Sequence, residues 1–347
     1  MKYVGYTLAG VVALLVVGAL ALWFSASSSL DDSYRHTKAT AALPLLNDAS
    51  KDGLVRIATE RGEFRARVAG LENDQGQLVV LLHGFPVTSA MWIDLITPLA
   101  QAGYRVVAFD QRGYSPAVRP VDLVDYTVAE LVADVLAVVA AFGDERFHLV
   151  GHDWGAAVGW SVVLAAPERI QSWSALSIAH PAAFQAALEN DPDQQSRSAY
   201  FLLFQTPGVP ETLFSLSDFA VLKELYTGMP EANIEEYVAV LGEPGALTAA
   251  LNWYRAMGAS GLASSEPMNM DVSVPTLFVW GNQDGAVGRR GVEIMADYMR
   301  GPYSVIELDA GHWLIAETQQ QVIQPLVEHI QRFSNEQGSA DAAQFTN

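Results

Sequence analysis

Apolar residues recur along this chain in two rhythms. Short continuous runs at residues 78–82, 106–109, 147–150, 173–178, 276–280 and 304–308 read as buried strands. Longer stretches at 91–101, 128–142, 292–299 and 320–333 place apolar residues at helical spacing. Strand alternating with helix predicts a mostly parallel sheet with helices on both faces. Ahead of it, residues 54–59 and 64–68 flank a turn at Arg61-Gly62 and predict an antiparallel hairpin, which completes an eight-stranded sheet. From Pro181 to about Asp271 the strand pattern stops and aromatic side chains crowd in. That change predicts a helical lobe inserted into the sheet domain.

The N-terminal pattern differs from the rest. Residues 3–24 carry no charge, and as a helix they reach about 33 Å at roughly 1.5 Å per residue, the thickness of a bilayer core. Apolar regions of cleaved signals run shorter, roughly 7–15 residues, which favours a single-pass membrane anchor over a signal peptide cut near Ala19-Leu20-Ala21. Lys2 and the terminal amine lie nearer this span than Arg35 and Lys38, so the folded part is expected on the periplasmic or extracellular side. The expected organisation is an anchor at 1–24, a polar linker at 25–51, a sheet domain at 52–180 and 272–335, the helical lobe at 181–271, and a disordered tail at 336–347.

Composition narrows the partners. Half of the 347 residues are apolar, enough for a sizeable core. A net charge of −19 argues against nucleic acid and anionic lipid surfaces, leaving the N-terminal helix as the expected membrane contact. There is no cysteine, which removes disulfides, thiolate metal sites and a thiol nucleophile.

Candidate chemistry centres on Gly151-His152-Asp153-Trp154-Gly155, which joins a strand pattern to a helix pattern. Small residues two before and two after a polar one allow a sharp turn that pushes the apical side chain, Asp153, out of the sheet. A carboxylate attacking an ester would give an unstable anhydride. Attacking a saturated carbon, it gives an ester that water can later cleave. Asp153 therefore points to a strained or activated C–O or C–halogen bond. The second half of such a reaction needs a base for water and an acid to orient that base. Asp284 and His312 follow the strand patterns at 276–280 and 304–308, on loops expected over the same sheet edge. His148 and His152 complete no zinc spacing and read as structural. His180 can line a pocket without taking part in the chemistry.

Five motifs carry a resemblance to the epoxide hydrolase branch of the α/β-hydrolases: His83-Gly84-Phe85-Pro86, Asp110-Gln111-Arg112-Gly113, the Asp153 elbow, Trp280-Gly281-Asn282-Gln283-Asp284 and Gly311-His312-Trp313. They span about residues 50 to 335. The resemblance implies an α/β-hydrolase fold with a helical cap and conversion of an epoxide and water to a vicinal diol. In it, Asp153 forms a hydroxyalkyl ester, and His312, supported by Asp284, activates water against that ester. The backbone N–H groups of Phe85 and Trp154 match the family's oxyanion hole. Two cap tyrosines protonate the departing oxygen in the family. Leu251-Asn252-Trp253-Tyr254-Arg255 resembles the second tyrosine motif, so Tyr254 is implied as one acid. At the first, several members have Tyr-Phe-Gln where this chain has Leu203-Phe204-Gln205. Tyr200, one helical turn earlier, is either the substitute acid or cap packing. Trp154 and Trp253 are implied substrate contacts. The implied substrate is a small apolar epoxide, and neither cofactor nor metal is called for.

Haloalkane dehalogenases share the elbow and form the alternative reading, with a halide as leaving group. The asparagine that follows His-Gly in many of them is replaced by Phe85, and Tyr254 has no evident role there.

Overall fold

The structure, a computed structural model, describes residues 43–49, 52–226, 228–259 and 270–344. All five residues of β3 (Leu78–Leu82) are fully buried. Because strand side chains alternate, a strand buried on both faces must be covered on both sides. Val79 and Leu81 enter one apolar cluster, while Leu78, Val80 and Leu82 enter another.

The other strands are β1 (Gly53–Thr59), β2 (Gly62–Ala69), β4 (Arg105–Phe109), β5 (Phe147–His152), β6 (Ile170–Leu176), β7 (Thr276–Gly281) and β8 (Tyr303–Leu308). They form one eight-stranded sheet in the order β1-β2-β4-β3-β5-β6-β7-β8. β2 pairs antiparallel with β1 and β4, and every other pairing is parallel. Helices α1 (Ile93–Gln101), α2 (Val128–Ala141) and α3 (Trp154–Ala165) follow β3, β4 and β5. Between β6 and β7 come α4 (Pro181–Asn190), α5 (Pro192–Arg197), α6 (Tyr200–Phe204), α7 (Val209–Glu224), α8 (Glu231–Leu241) and α9 (Ala246–Ala259), with no strand among the described residues. α10 (Arg289–Ile294) follows β7, and α11 (Leu314–Gln344) follows β8. Leu95 and Leu99 of α1 pack with Leu326 and Ile330 of α11 on one face of the sheet. Val135 and Val138 of α2 pack with Val158 and Val162 of α3 on the other.

The chain passes from β3 to β4 on one side of β3, then to β5 on the other. Such a reversal opens a crevice at the carboxyl ends of the two strands. Leu82 pairs with Gly151, so the loops after β3 and β5 leave the sheet side by side.

Several boundaries differ from the sequence expectation. β6 ends at Leu176 rather than 178, because Ser177, whose N–H still donates to Val279 O at 2.9 Å, turns the chain away with a φ of 71°. The expected helix at 292–299 is α10 followed by a 3-10 turn over Met295–Tyr298. The end of the expected linker docks on the edge of the sheet, where Arg56 N–H donates to Pro44 O at 2.8 Å. An edge strand leaves such groups unpaired and open to a passing chain. α11 runs to Gln344, across most of the expected tail. An established helix extends at little cost through alanine-containing sequence.

The expected localisation is corrected. Among the described residues no helix is long and apolar enough to cross a membrane. The membrane anchor and the external placement drawn from it are therefore withdrawn; residues 3–24 themselves lie outside the described residues.

Candidate active site

The elbow begins with steric demands. A Cβ on Gly155 would stand 2.0 Å from Leu82 O, and one on Gly151 would stand 2.3 Å from Gly155 O. Glycine at both positions lets α3 start tight against the sheet. Between them Asp153 takes a φ of 53°, a region that non-glycine residues rarely occupy and that recurs at functional sites. Its carboxylate sits at the crevice, 5% exposed. Phe85 N–H, from the loop after β3, donates to Asp153 Oδ1 at 2.7 Å. Trp154 N–H also donates to the carboxylate. Gly84 makes room for this approach, since a Cβ there would stand 2.3 Å from Asp153 Oδ1. His83 sets the turn: Nδ1 is 2.9 Å from Gly84 O, and Nε2 accepts Gln111 N–H at 3.0 Å. Burial lowers the His83 pKa, as this neutral pattern requires.

The loops after β6, β7 and β8 bring the acid–base pair together. Asp284 is fully buried and accepts from Ala286 N–H at 2.7 Å, Val287 N–H at 3.1 Å and Ser177 Oγ at 2.6 Å. His312 Nδ1 lies 3.0 Å from Asp284 Oδ2, and its Nε2 lies 3.6 Å from Asp153 Oδ2. Burial opposes ionised Asp284, but His312, Ser177 and the backbone N–H of Ala286 hold it well below the usual carboxylate range. Burial also opposes a charged His312, yet Asp284, then Asp153, raise it to about 9. Burial pushes Asp153 up, against the pull of His312 and the two backbone donors.

Aromatic side chains from the helices between β6 and β7 enclose this line. Tyr254 of α9 is buried, with ring centroids 5.4 Å from Phe85, 5.1 Å from Trp154 and 5.0 Å from Phe204. Tyr200 of α6 stands 6.1 Å from Tyr254 between ring centroids, and the two side chains share a hydrogen bond. Burial and the nearby Asp153 charge push both phenols up, so both stay protonated at neutral pH. The Trp154 side chain hydrogen-bonds Tyr254.

Asp153, Asp284, His312, Phe85, Trp154, Tyr254 and Tyr200 thus converge. Trp253 stands behind them: its Nε1 donates to Arg112 O at 2.9 Å and its ring packs on Trp154 and Tyr114. It ties α9 to the loop after β4. His180 stacks on Tyr298 with centroids 4.6 Å apart, outside the cluster.

Three residues around the acid escape sequence reasoning. One is Ser177, also 3.1 Å from His312 Nδ1. Gln194 of α5 donates to Ala286 O at 2.8 Å and accepts Gly288 N–H at 2.8 Å, and Arg197 donates to Asp284 O. Only the position of Ser177, one residue past a strand end, offers a signal.

Chemically, the arrangement offers a carboxylate placed as a nucleophile, two backbone N–H groups that donate to it, an oriented imidazole and two neutral phenols. The family described as alpha/beta hydrolase fold matches residues 77–318. The chain is 32% identical over 272 residues to the AB hydrolase superfamily protein YfhM of Bacillus subtilis (strain 168), covering 76% of this chain and 93% of that protein. It is 31% identical over 314 residues to epoxide hydrolase 4 of Mus musculus, covering 86% of this chain and 85% of that protein. Among solved structures, the Bacillus megaterium epoxide hydrolase in complex with an inhibitor matches with a TM-score of 0.71 at 25% identity, covering 80% of this chain and 99% of that one.

Proposed function

The chain belongs to the α/β-hydrolase fold family, and from that premise we propose that it converts an epoxide and water to a vicinal diol through an ester on Asp153. The observation that carries this reading is the pairing of a buried carboxylate, 3.6 Å from an imidazole, with two neutral phenols, buried Tyr254 and half-buried Tyr200. A dehalogenase has no use for phenols that donate protons. An epoxide does, because its leaving oxygen stays attached and must be protonated.

With its carboxylate held by the Phe85 and Trp154 N–H groups, Asp153 Oδ2 attacks an epoxide carbon. The C–O bond breaks and its electron pair goes to the oxygen, which takes a proton from Tyr254 or Tyr200. Ester formation removes the Asp153 charge, one of the causes that keep His312 protonated at rest. The imidazolium then gives its proton to the phenolate left by ring opening, and the neutral imidazole becomes a base when a base is needed. His312 Nε2 takes a proton from water, and the hydroxide adds to the Asp153 carboxyl carbon. Phe85 and Trp154 N–H groups stabilise the resulting oxyanion, each such donor typically worth about 2.7–4 kcal/mol. Collapse breaks the ester C–O bond, the diol oxygen takes the proton of the new carboxyl group, and ionised Asp153 again faces protonated His312. The chain's similarity to epoxide hydrolases supports this reaction, and the aromatic enclosure suits a small apolar epoxide.

The test is intact-protein mass spectrometry of a His312→Gln variant, mixed separately with an aryl epoxide and a bromoalkane. A hydroxyalkyl adduct on Asp153 from the epoxide alone is the expected result. An alkyl adduct with bromide release would make the chain a dehalogenase, and no adduct from either would remove the ester.

A further inference from the structure

A narrow cleft leads from the surface to His152, the residue before the elbow aspartate. Asp94, Pro230 and Ala316 stand exposed at its mouth, Trp313 and Leu314 form part of its wall, and His152, 1% exposed, lines its buried end. None of Phe85, Trp154, Tyr200 or Tyr254 lines it. Its volume is about 30 Å³, and one water needs roughly 10–15 Å³. The cleft therefore takes a water or two and excludes an organic substrate.

The chemistry of His152 says what such a cleft holds. Its Nε2 lies 2.8 Å from the His312 carbonyl oxygen, which only accepts, so Nε2 carries the proton. Burial, then the neighbouring His312, keep the imidazole neutral. Nδ1 is then a bare acceptor, and it has no hydrogen-bond partner among the described residues. A buried acceptor without a partner, on a residue that lines a cleft with room for water, calls for an O–H donor. The His152 ring also lies against His312, with centroids 4.8 Å apart. His312 does not line the cleft itself, but the His152 and Trp313 rings, which do, both pack against it.

We propose that this cleft is a water port: it seats water on His152 Nδ1 and supplies the hydrolytic step, separately from the aromatic side through which the epoxide reaches Asp153. The proposal rests on the two-step reading above. Each turnover consumes one water, and the bound ester with its aromatic enclosure obstructs the other approach.

The experiment uses the full chain with Ala316→Trp and, independently, Asp94→Trp, two mouth positions away from the proposed chemistry, with Ala316→Ser as the open control. Rapid quench with an aryl epoxide separates ester formation from ester decay. The expected result is unchanged formation, decay slowed about tenfold in both plugged variants, and the control like the parent. Wild-type decay in both plugged variants overturns the port. So does equal slowing of formation and decay, which would report a displaced site. If the parent forms no ester at all, the two-step reading itself fails and takes the port with it.

Discussion

At position 177 the backbone turns through a φ of 71°, which glycine and asparagine tolerate far better than other residues, yet the residue is serine. What its side chain supplies is a 2.6 Å hydrogen bond to Asp284 Oδ2. This bond is one of the causes that keep Asp284 ionised, and an ionised Asp284 in turn raises His312. Ser177→Ala and Ser177→Gly both remove the donor, but only glycine relieves the backbone. Ester decay is expected to slow about tenfold in both, as the loss of a hydrogen bond to a charged group is worth roughly 1.5–3 kcal/mol. Ring opening should be unaffected, and the glycine variant should melt at the higher temperature. Slow decay in the alanine variant alone would assign the effect to the backbone. The contrast with Asp153, Asp284 and His312 shows what a sequence makes legible at this scale. Those residue types are suited to the proposed chemistry, and their motifs place them after strands. A serine, Gln194 or Arg197 has many uses, and only the folded loops reveal that all three hold the acid.

Strand elements follow from local pattern, as β3 does to the residue, because burial on both faces requires an unbroken apolar run. The helices between β6 and β7 do not. α6 has only five residues, and α7 contains Ser217, Asp218 and Phe219 at positive φ. Such pieces are held by contacts distant in sequence. Glu236 of α8 is the clearest, pairing with Arg65 and Arg67 of β2 and accepting from Thr88 Oγ1 at 3.1 Å. Tyr226 adds a 2.6 Å hydrogen bond from its hydroxyl to Pro86 O, next to the Phe85 loop. Charges 171 positions apart leave no periodic trace. Removing one partner of a buried pair costs about 3–5 kcal/mol, because the other charge stays buried. Arg65 keeps Asp110 at 3.2 Å, so Glu236→Ala is expected to lose about 3 kcal/mol in urea melts, the low end of that range. Turnover should fall as well, since α8 packs on α9, which carries Tyr254. A loss below about 1 kcal/mol would mean that water solvates these arginines in place of Glu236.

For the molecule as a whole, net charge and buried histidines make opposite predictions about pH. A chain with a net charge of −19 and an isoelectric point near 4.6 repels itself least in mild acid, so charge alone would place maximal stability there. Burial, however, lowers His148 and His152 to about 3 and His180 and His329 to about 4, from an ordinary value of 6.5. Below pH 6.5 the unfolded chain takes up protons that the folded chain refuses, so stability falls as pH drops toward 4. Each such histidine contributes up to about 1.4 kcal/mol per pH unit within its window. His312 has the opposite sign. Its folded value of about 9 lies above 6.5, so its contribution is complete below 6.5 and is lost as pH rises through 9. Asp284, held low, contributes above its ordinary value of 3.8 and loses that contribution only in stronger acid. With His83, also lowered by burial, five histidines act on the acid side and one on the alkaline side. The melting temperature is therefore expected to peak near pH 6.5 and to fall more steeply toward pH 4.5 than toward pH 8.5. Circular dichroism melts at those three values and constant ionic strength decide the matter. A peak at pH 4.5 would mean that charge repulsion outweighs the buried imidazoles. A peak near neutrality would show that packing neutral histidines into this core sets the working range of the fold.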